Sequence, residues 1–215
     1  MTLAPARPPE PQTVQITEDL TSLERFPGRK RWTRSDCDFL ERLGMLPQHY
    51  ELIDGVIIDK MGQNRPHAIA VTLLIKWLIA VFGGDFVQCQ LSIEVTDADR
   101  PSYQPEPDAS VMVQPVTAYL TAPPGPGDLR LVAEVSDSTL RDDVTTKAVL
   151  YARAGIPEYW VLDVAGRQLF VHRNPAGGVY TAVERYGETD SVASAASPEN
   201  ATIVADLLPP VSAEV

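Results

Sequence analysis

Asp108, Glu134 and Lys147 are the side chains of this sequence whose types and placement best suit chemistry. Pro107-Asp108 opens a short apolar run, Asp108-Ala-Ser-Val-Met-Val113. Glu134 lies near the end of an alternating run, Leu129-Arg-Leu-Val-Ala-Glu-Val135. Lys147 shares a helical stripe with Val144, Ala148 and Tyr151. Phosphodiester hydrolysis is slow because the anion repels an incoming hydroxide. A magnesium-type ion held by oxygen ligands offsets that repulsion, orients water and stabilises the leaving oxygen. Asp108 and Glu134 are candidate ligands for such an ion, with the backbone carbonyl of Val135 as a further oxygen. Lys147 is the candidate cation that orients or deprotonates water and steadies the developing charge.

Each of these residues also has a plainer reading. Lys147 can be a surface lysine paired with Asp143 one turn earlier. Asp108 can simply start a strand, and Glu134 can sit on a solvated sheet face, since carboxylates are mostly exposed. A lysine on a core-facing stripe, however, needs an anionic partner or a route to water. On the residues alone both alternatives stand.

The elements that must carry these side chains follow from periodicity and turn chemistry. Residues 1–30 hold Pro5, Pro8, Pro9, Pro11 and Pro27 and are expected to be irregular. Ser35 is a candidate cap for a helix to about Arg42, with Phe39, Leu40 and Leu43 as its apolar side. Residues 50–59 read as an exposed hairpin turning at Asp54-Gly55. His67 to Phe82 has helical spacing through Ile69, Leu73, Trp77 and Ala80, widened by Leu74, Leu78 and Val81, and Gly83-Gly84 ends it. Strands are expected over 86–95, from Asp108, over 129–135 and over 158–163, with a helix over 142–154 before the last. A second hairpin is expected over 168–185 around Asn174-Pro175 and Gly177-Gly178. Residues 191–197 read as a loop, with a short strand near Ile203. The expected class is α+β, a central mixed sheet flanked by helices, in one domain over 31–215.

Composition bounds the function. The 215 residues are 44% hydrophobic and 22% charged, ordinary for a soluble globular chain. The net charge of −11 argues against surface-wide attraction to nucleic acid. Acids clustered in one site would instead draw a divalent cation. Cys37 and Cys89 are the only cysteines, which suits a reduced, cytoplasmic setting with two buried thiols. The N-terminal residues lack the apolar core of a signal peptide. The stretch from Ala68 to Phe82 reads as too short to span a bilayer, and Lys76 interrupts it, so no membrane partner is expected. Cys37, Cys89, His67 and His172 show no zinc-ligand spacing. A phosphate-cradling glycine loop and a helix-turn-helix are both absent.

Pro107-Asp108, Glu134-Val-Ser-Asp-Ser-Thr139, Asp143, Lys147, Tyr151 and Gly155-Ile-Pro-Glu-Tyr-Trp-Val-Leu-Asp163 together resemble the Uma-two family of restriction-endonuclease-like proteins, within the PD-(D/E)XK nuclease superfamily. Tyr50-Glu-Leu-Ile-Asp-Gly55 and His67 resemble its first half, so the likeness covers residues 48–170. It implies a restriction-endonuclease-like fold, with Asp108 and Glu134 as ligands of magnesium, or of manganese. The superfamily lysine falls two residues after the acid, where Ser136 stands here; Lys147 on the following helix takes its place. Glu51 resembles an additional acid of the metal site, and is equally readable as an exposed strand residue. His67 reads as a capping or hydrogen-bonding residue, and Asp143 as the support of Lys147.

The resemblance implies an endonuclease-like hydrolase of nucleic-acid phosphodiesters, DNA before RNA. A homodimer is compatible with cutting two strands, through the hairpin at Asp54-Gly55 or the C-terminal strands. The acidic balance keeps two alternatives open: a catalytically silent protein of the same fold that binds partners or nucleic acid, and an enzyme acting on a small phosphorylated substrate.

Overall fold

The computed structural model describes residues 12–13, 30–60 and 64–211. Its main sheet has the order β1-β9-β8-β7-β6-β5-β4. The strands are β1 (Gln12–Thr13), β4 (Val87–Cys89), β5 (Ala109–Met112), β6 (Leu129–Ser136), β7 (Glu158–Asp163), β8 (Gln168–Ala176) and β9 (Val179–Gly187). Only β6 and β7 pair in parallel; every other pairing in this sheet is antiparallel. The sheet is therefore mixed, and the class is α+β as the sequence implies. Of the N-terminal residues expected to be irregular, Gln12–Thr13 form a strand on β9, and the others up to residue 29 lie outside the described residues.

A parallel pair cannot be joined by a tight turn. The chain from β6 to β7 crosses over through α3 (Leu140–Asp142), a π-helical turn (Asp143–Lys147) and α4 (Ala148–Ala154). Gly155, with φ of 76°, closes α4 in the left-handed conformation that glycine adopts without Cβ strain. Side chains alternate along β7, so Trp160 and Leu162 face one layer while Tyr159 and Val161 face the other. On the first side lies α2 (Arg65–Phe82), capped by Asn64 and packed through Ala70, Val71, Leu74 and Leu78. Trp77 stacks on Trp160 with ring centroids 5.3 Å apart. On the other side α4 buries Leu150 and Tyr151.

Of the apolar face expected on α2, Leu74 and Leu78 are buried and Leu73, Trp77 and Val81 partly so, whereas Ile69 and Ala80 face outward. The helix begins earlier than expected, at Arg65. With 18 residues and a mean hydropathy of 1.5, α2 is long and apolar enough to cross a membrane by length and composition, contrary to the sequence expectation. In this fold one face of it covers the sheet.

The expected strand over 86–95 shrinks to β4. Gln90 adopts φ of 49°, which breaks the extended run, and Ile93 and Val95 are buried in irregular chain. Helix α1 (Arg34–Arg42) is capped by Thr33 rather than Ser35. The Thr33 hydroxyl accepts from Asp36 N and the Asp36 carboxylate accepts from Thr33 N, a reciprocal box that Ser35 cannot form. Its buried residue is Cys37, whereas Phe39 and Leu43 are exposed. Cys89 is half-buried, unlike the buried thiol expected there. The loop expected at 191–197 begins with β10 (Ser191–Ala193), paired with β11 (Ala201–Ile203).

The first hairpin, β2 (Tyr50–Ile53) and β3 (Val56–Asp59), turns at Asp54 and Gly55 with φ of 50° and 71°. Its tip is covered, not exposed. Trp32 N donates to Gly55 O and Gly55 N donates to Ser102 O, each at 2.8 Å. The second hairpin turns at Gly177-Gly178, while Pro175 pairs with Tyr180 inside the ladder.

His172 on β8 is buried against Tyr159 and Tyr180, and neither ring nitrogen meets a hydrogen-bond partner at good geometry. Burial pushes its pKa down to about 4, against a smaller upward pull from the Tyr159 backbone. Between the ordinary value near 6.5 and about 4, the unfolded chain binds this proton and the folded chain does not. Stability from this group is therefore complete above pH 6.5 and is lost as pH falls to 4, by about 3 kcal/mol in total. Denaturant unfolding across that range should show His172→Phe flattening the pH dependence; an unchanged slope would exclude His172 as its source.

Candidate active site

Strand β6 is rich in Leu, Val and Ala and is buried almost throughout, so it is rigid where it delivers Glu134. Glu134 points to the same side as Val132, toward α4. There the Lys147 ammonium lies 2.9 Å from Glu134 Oε1, and the Tyr151 hydroxyl donates to the same oxygen at 3.0 Å. Glu51, from β2, places Oε2 2.9 Å from Lys147 Nζ, and its Oε1 accepts from Glu106 N at 2.7 Å. Asp143 Oδ1 lies 3.6 Å from the same ammonium. One lysine thus faces three carboxyl groups from three separate elements. Both plain readings of Lys147 and Glu134 give way: they are 7% and 3% exposed. Glu51, also 3% exposed, is not a surface strand residue.

The turn that presents Lys147 is π-helical, not the α-helix expected from spacing. The Tyr159 hydroxyl donates to Asp143 O at 3.0 Å from beneath, and Thr139 and Ser136 donate to the Asp143 carboxylate. Asp143 and Lys147, four residues apart, both face inward from this turn. Ser136, standing where a lysine would fall two residues after the acid, serves to hold Asp143.

Asp108, just before β5, is 3% exposed. Its Oδ2 accepts from Val135 N at 2.8 Å and lies 3.6 Å from His67 Nε2. Gln90 Nε2 approaches Oδ1 at 3.4 Å. In a strand the N–H and C=O of one residue point to the same side, so the Val135 carbonyl also faces the Asp108 edge, and His67 senses it. Asp108, Glu134, Glu51, Lys147 and Val135 all line one cleft of about 280 Å³, with Lys60 and His67 on its wall.

Charge is unevenly balanced here. Burial opposes ionisation of Asp108, but the His67 bond, Lys60 and the Val135 N–H hold its carboxyl below the usual aspartate range. The bond to Asp108 in turn raises His67, against its burial. Burial pushes Glu134 up to about 8, with Lys147 pulling down and Glu51 pushing up. Burial also disfavours charge on Lys147, yet Glu134, Glu51 and Asp143 outweigh it and hold the ammonium well above the ordinary lysine value. The two shifts are upward for different reasons: burial dominates at Glu134, and the surrounding carboxyl groups dominate at Lys147.

Tyr151 stands in the sequence only as part of the inward stripe and of the family pattern; its hydroxyl and that of Tyr159 prove to bond Glu134 and the Asp143 carbonyl of the π turn. A hydroxyl on an otherwise apolar stripe is the signal that could have marked them. Lys60, at the end of β3, was not singled out. Among the described residues, no three His, Cys, Asp or Glu side chains form a ready-made ion cage. Lys147 stands between the carboxyl groups, and Asp108 is turned to Val135 N and His67.

Replacing Lys147 by Met leaves three buried carboxyl groups without their cation. Unfolding free energy should fall by about 3 kcal/mol at neutral pH, and by less at pH 5, where carboxyl groups protonate more readily. Adding Glu134→Gln should recover part of the loss. Equal losses at both pH values, with no recovery, would remove the ion cluster as a determinant of stability.

The profile of the family Uma2, described as "Putative restriction endonuclease", matches residues 38–205, beyond the 48–170 read from sequence in both directions. A crystal structure described as a putative nuclease belonging to DUF820, from Anabaena variabilis, is similar with a TM-score of 0.57 and 18% identity. The likeness covers 78% of this chain and 96% of that one, and it shows a shared fold. No curated protein matches the sequence. With more than half of its length matched by the profile, this chain belongs to the Uma2 restriction-endonuclease-like family.

Proposed function

We propose that the chain is a divalent-metal-dependent hydrolase of nucleic-acid phosphodiester bonds. The observation that carries this reading is the convergence of Asp108, Glu134, Glu51 and Lys147, from four parts of the sequence, on one cleft. Family membership supports the nuclease class. The donor set suits a hard cation: one carboxyl group on β6 and one just before the adjacent β5, with the Val135 carbonyl beside them. Magnesium is characteristically held through about one or two carboxylates, with water and substrate oxygens completing its shell. A site of that kind does not need three protein acids, which reconciles it with the lack of a preformed cage.

Asp108, Glu134 and Val135 O would hold the ion, whose chemistry when bound is to polarise the phosphate and lower the pKa of water. The chain's own residues do the positioning. His67 and Val135 N fix the Asp108 carboxylate. Tyr151 and Lys147 fix Glu134 through one oxygen, Oε1. Lys147, held charged by its neighbours, offers positive potential to an anion forming in the cleft. Glu51 anchors the hairpin to Lys147, making it a positioning residue for that ammonium. Magnesium is the favoured ion, manganese the second, and DNA the favoured substrate over RNA.

The test is cleavage of single- and double-stranded DNA and RNA by purified protein with magnesium or manganese. Asp108→Asn and Glu134→Gln are each expected to lower kcat by about 100-fold or more. Chelation should abolish turnover. Full activity in a variant carrying both changes would sink the assignment.

A further inference from the structure

A phosphodiester entering this cleft meets more acids than cations, so the cation that receives it must have both access and unused donors. Among the described residues lining the cleft, the candidates are Lys147, His67 and Lys60. Lys147 lies within 2.9 Å of two carboxylates and 3.6 Å of a third, with a side chain only 9% exposed. Its donors are spent within the protein. His67 faces Asp108 at 3.6 Å and the Val135 carbonyl.

Lys60 differs on each count. Its side chain is 18% exposed, twice that of Lys147. It makes one bond, to the backbone carbonyl of Glu106. Its carboxylate neighbour, Glu51 Oε1, stands at 3.9 Å, an ion-pair distance beyond hydrogen-bond reach. An ammonium carries three donors. Lys60 lines the same cleft as Asp108 and Glu134.

We infer that Lys60 is the residue through which this chain grips the substrate phosphate: its ammonium donates to a non-bridging phosphate oxygen while Lys147 stays paired with the carboxyl groups. This rests on the nuclease reading and deepens it. It assigns the two lysines different work. Lys147 organises the acids, and Lys60 contacts the substrate.

The test uses the full chain and a fluorescein-labelled oligodeoxynucleotide, single-stranded and duplex, with calcium as the oxygen-binding ion. Binding is titrated over a range of salt, and where it is too weak to titrate the same slope is read from kcat/KM under magnesium. Lys60→Met is expected to weaken binding about five-fold for every sequence tried and to reduce the salt slope by about one. Lys60→Arg should restore the slope. The thermal midpoint of each variant reports folding, and Lys60→Gln replaces the Met variant if that one is destabilised. A wild-type slope in Lys60→Met overturns the assignment and leaves the nuclease reading intact. A native chain that neither binds nor cuts DNA or RNA with any of the three metals overturns both.

Discussion

One ammonium among three carboxyl groups is the constraint on which the cleft depends. Taking charges out of water costs several kcal/mol per ion, and only close, well-directed partners offset it. Lys147 obtains them from β2, β6 and the π turn, so the hairpin, the sheet and the crossover must all arrive in register for any of the charges to be tolerated. A shift of one residue in β6 would turn Glu134 to the α2 side and leave the lysine without its nearest partner. The same cluster that threatens stability therefore specifies the assembly of the elements around it.

The surplus of acid is the second consequence. Each carboxyl group near Lys147 is held by bonds that leave little freedom: Glu134 by Tyr151, Glu51 by Glu106 N, Asp143 by Ser136 and Thr139. Asp108 is held apart, ionised by His67 and Val135 N. For the proposed hydrolase, carboxyl oxygens fixed in advance would remove reorganisation from the step that uses them. The parallel β6–β7 pair enforces this layout, because its crossover must pass over the sheet face where Glu134 emerges.

Much of this was legible in the residues, and the failures have physical causes. Asp54-Gly55 announces its hairpin because two consecutive positive φ values suit few other pairs. The α2 and β7 segments are long and apolar enough to declare themselves. Ser35 was a plausible cap, but the reciprocal bonding of Thr33 and Asp36 decided the helix start. The run over 86–95 alternates like a strand, yet Gln90 turns out of the sheet and the chain finds partners in Pro105 and Pro124 instead. The π turn was invisible because spacing cannot distinguish it from an α-helix, and the bond from the Tyr159 hydroxyl to Asp143 O joins residues 16 apart in the chain. Lys60 was missed for a similar reason: a lysine ending a hairpin strand looks like any solvated charge.

The sequence by itself determined which chemistries were available. It carries acids before and within apolar strands, a lysine on a buried stripe, and the motif spacing of one family. Only the tertiary structure decided which charges meet. Burial and pairing depend on contacts between residues far apart in the chain, such as Glu51 with Lys147, and no local pattern encodes the distance between them. That is why Glu51 could be read equally as site or surface until the hairpin was seen to fold over the crossover helix.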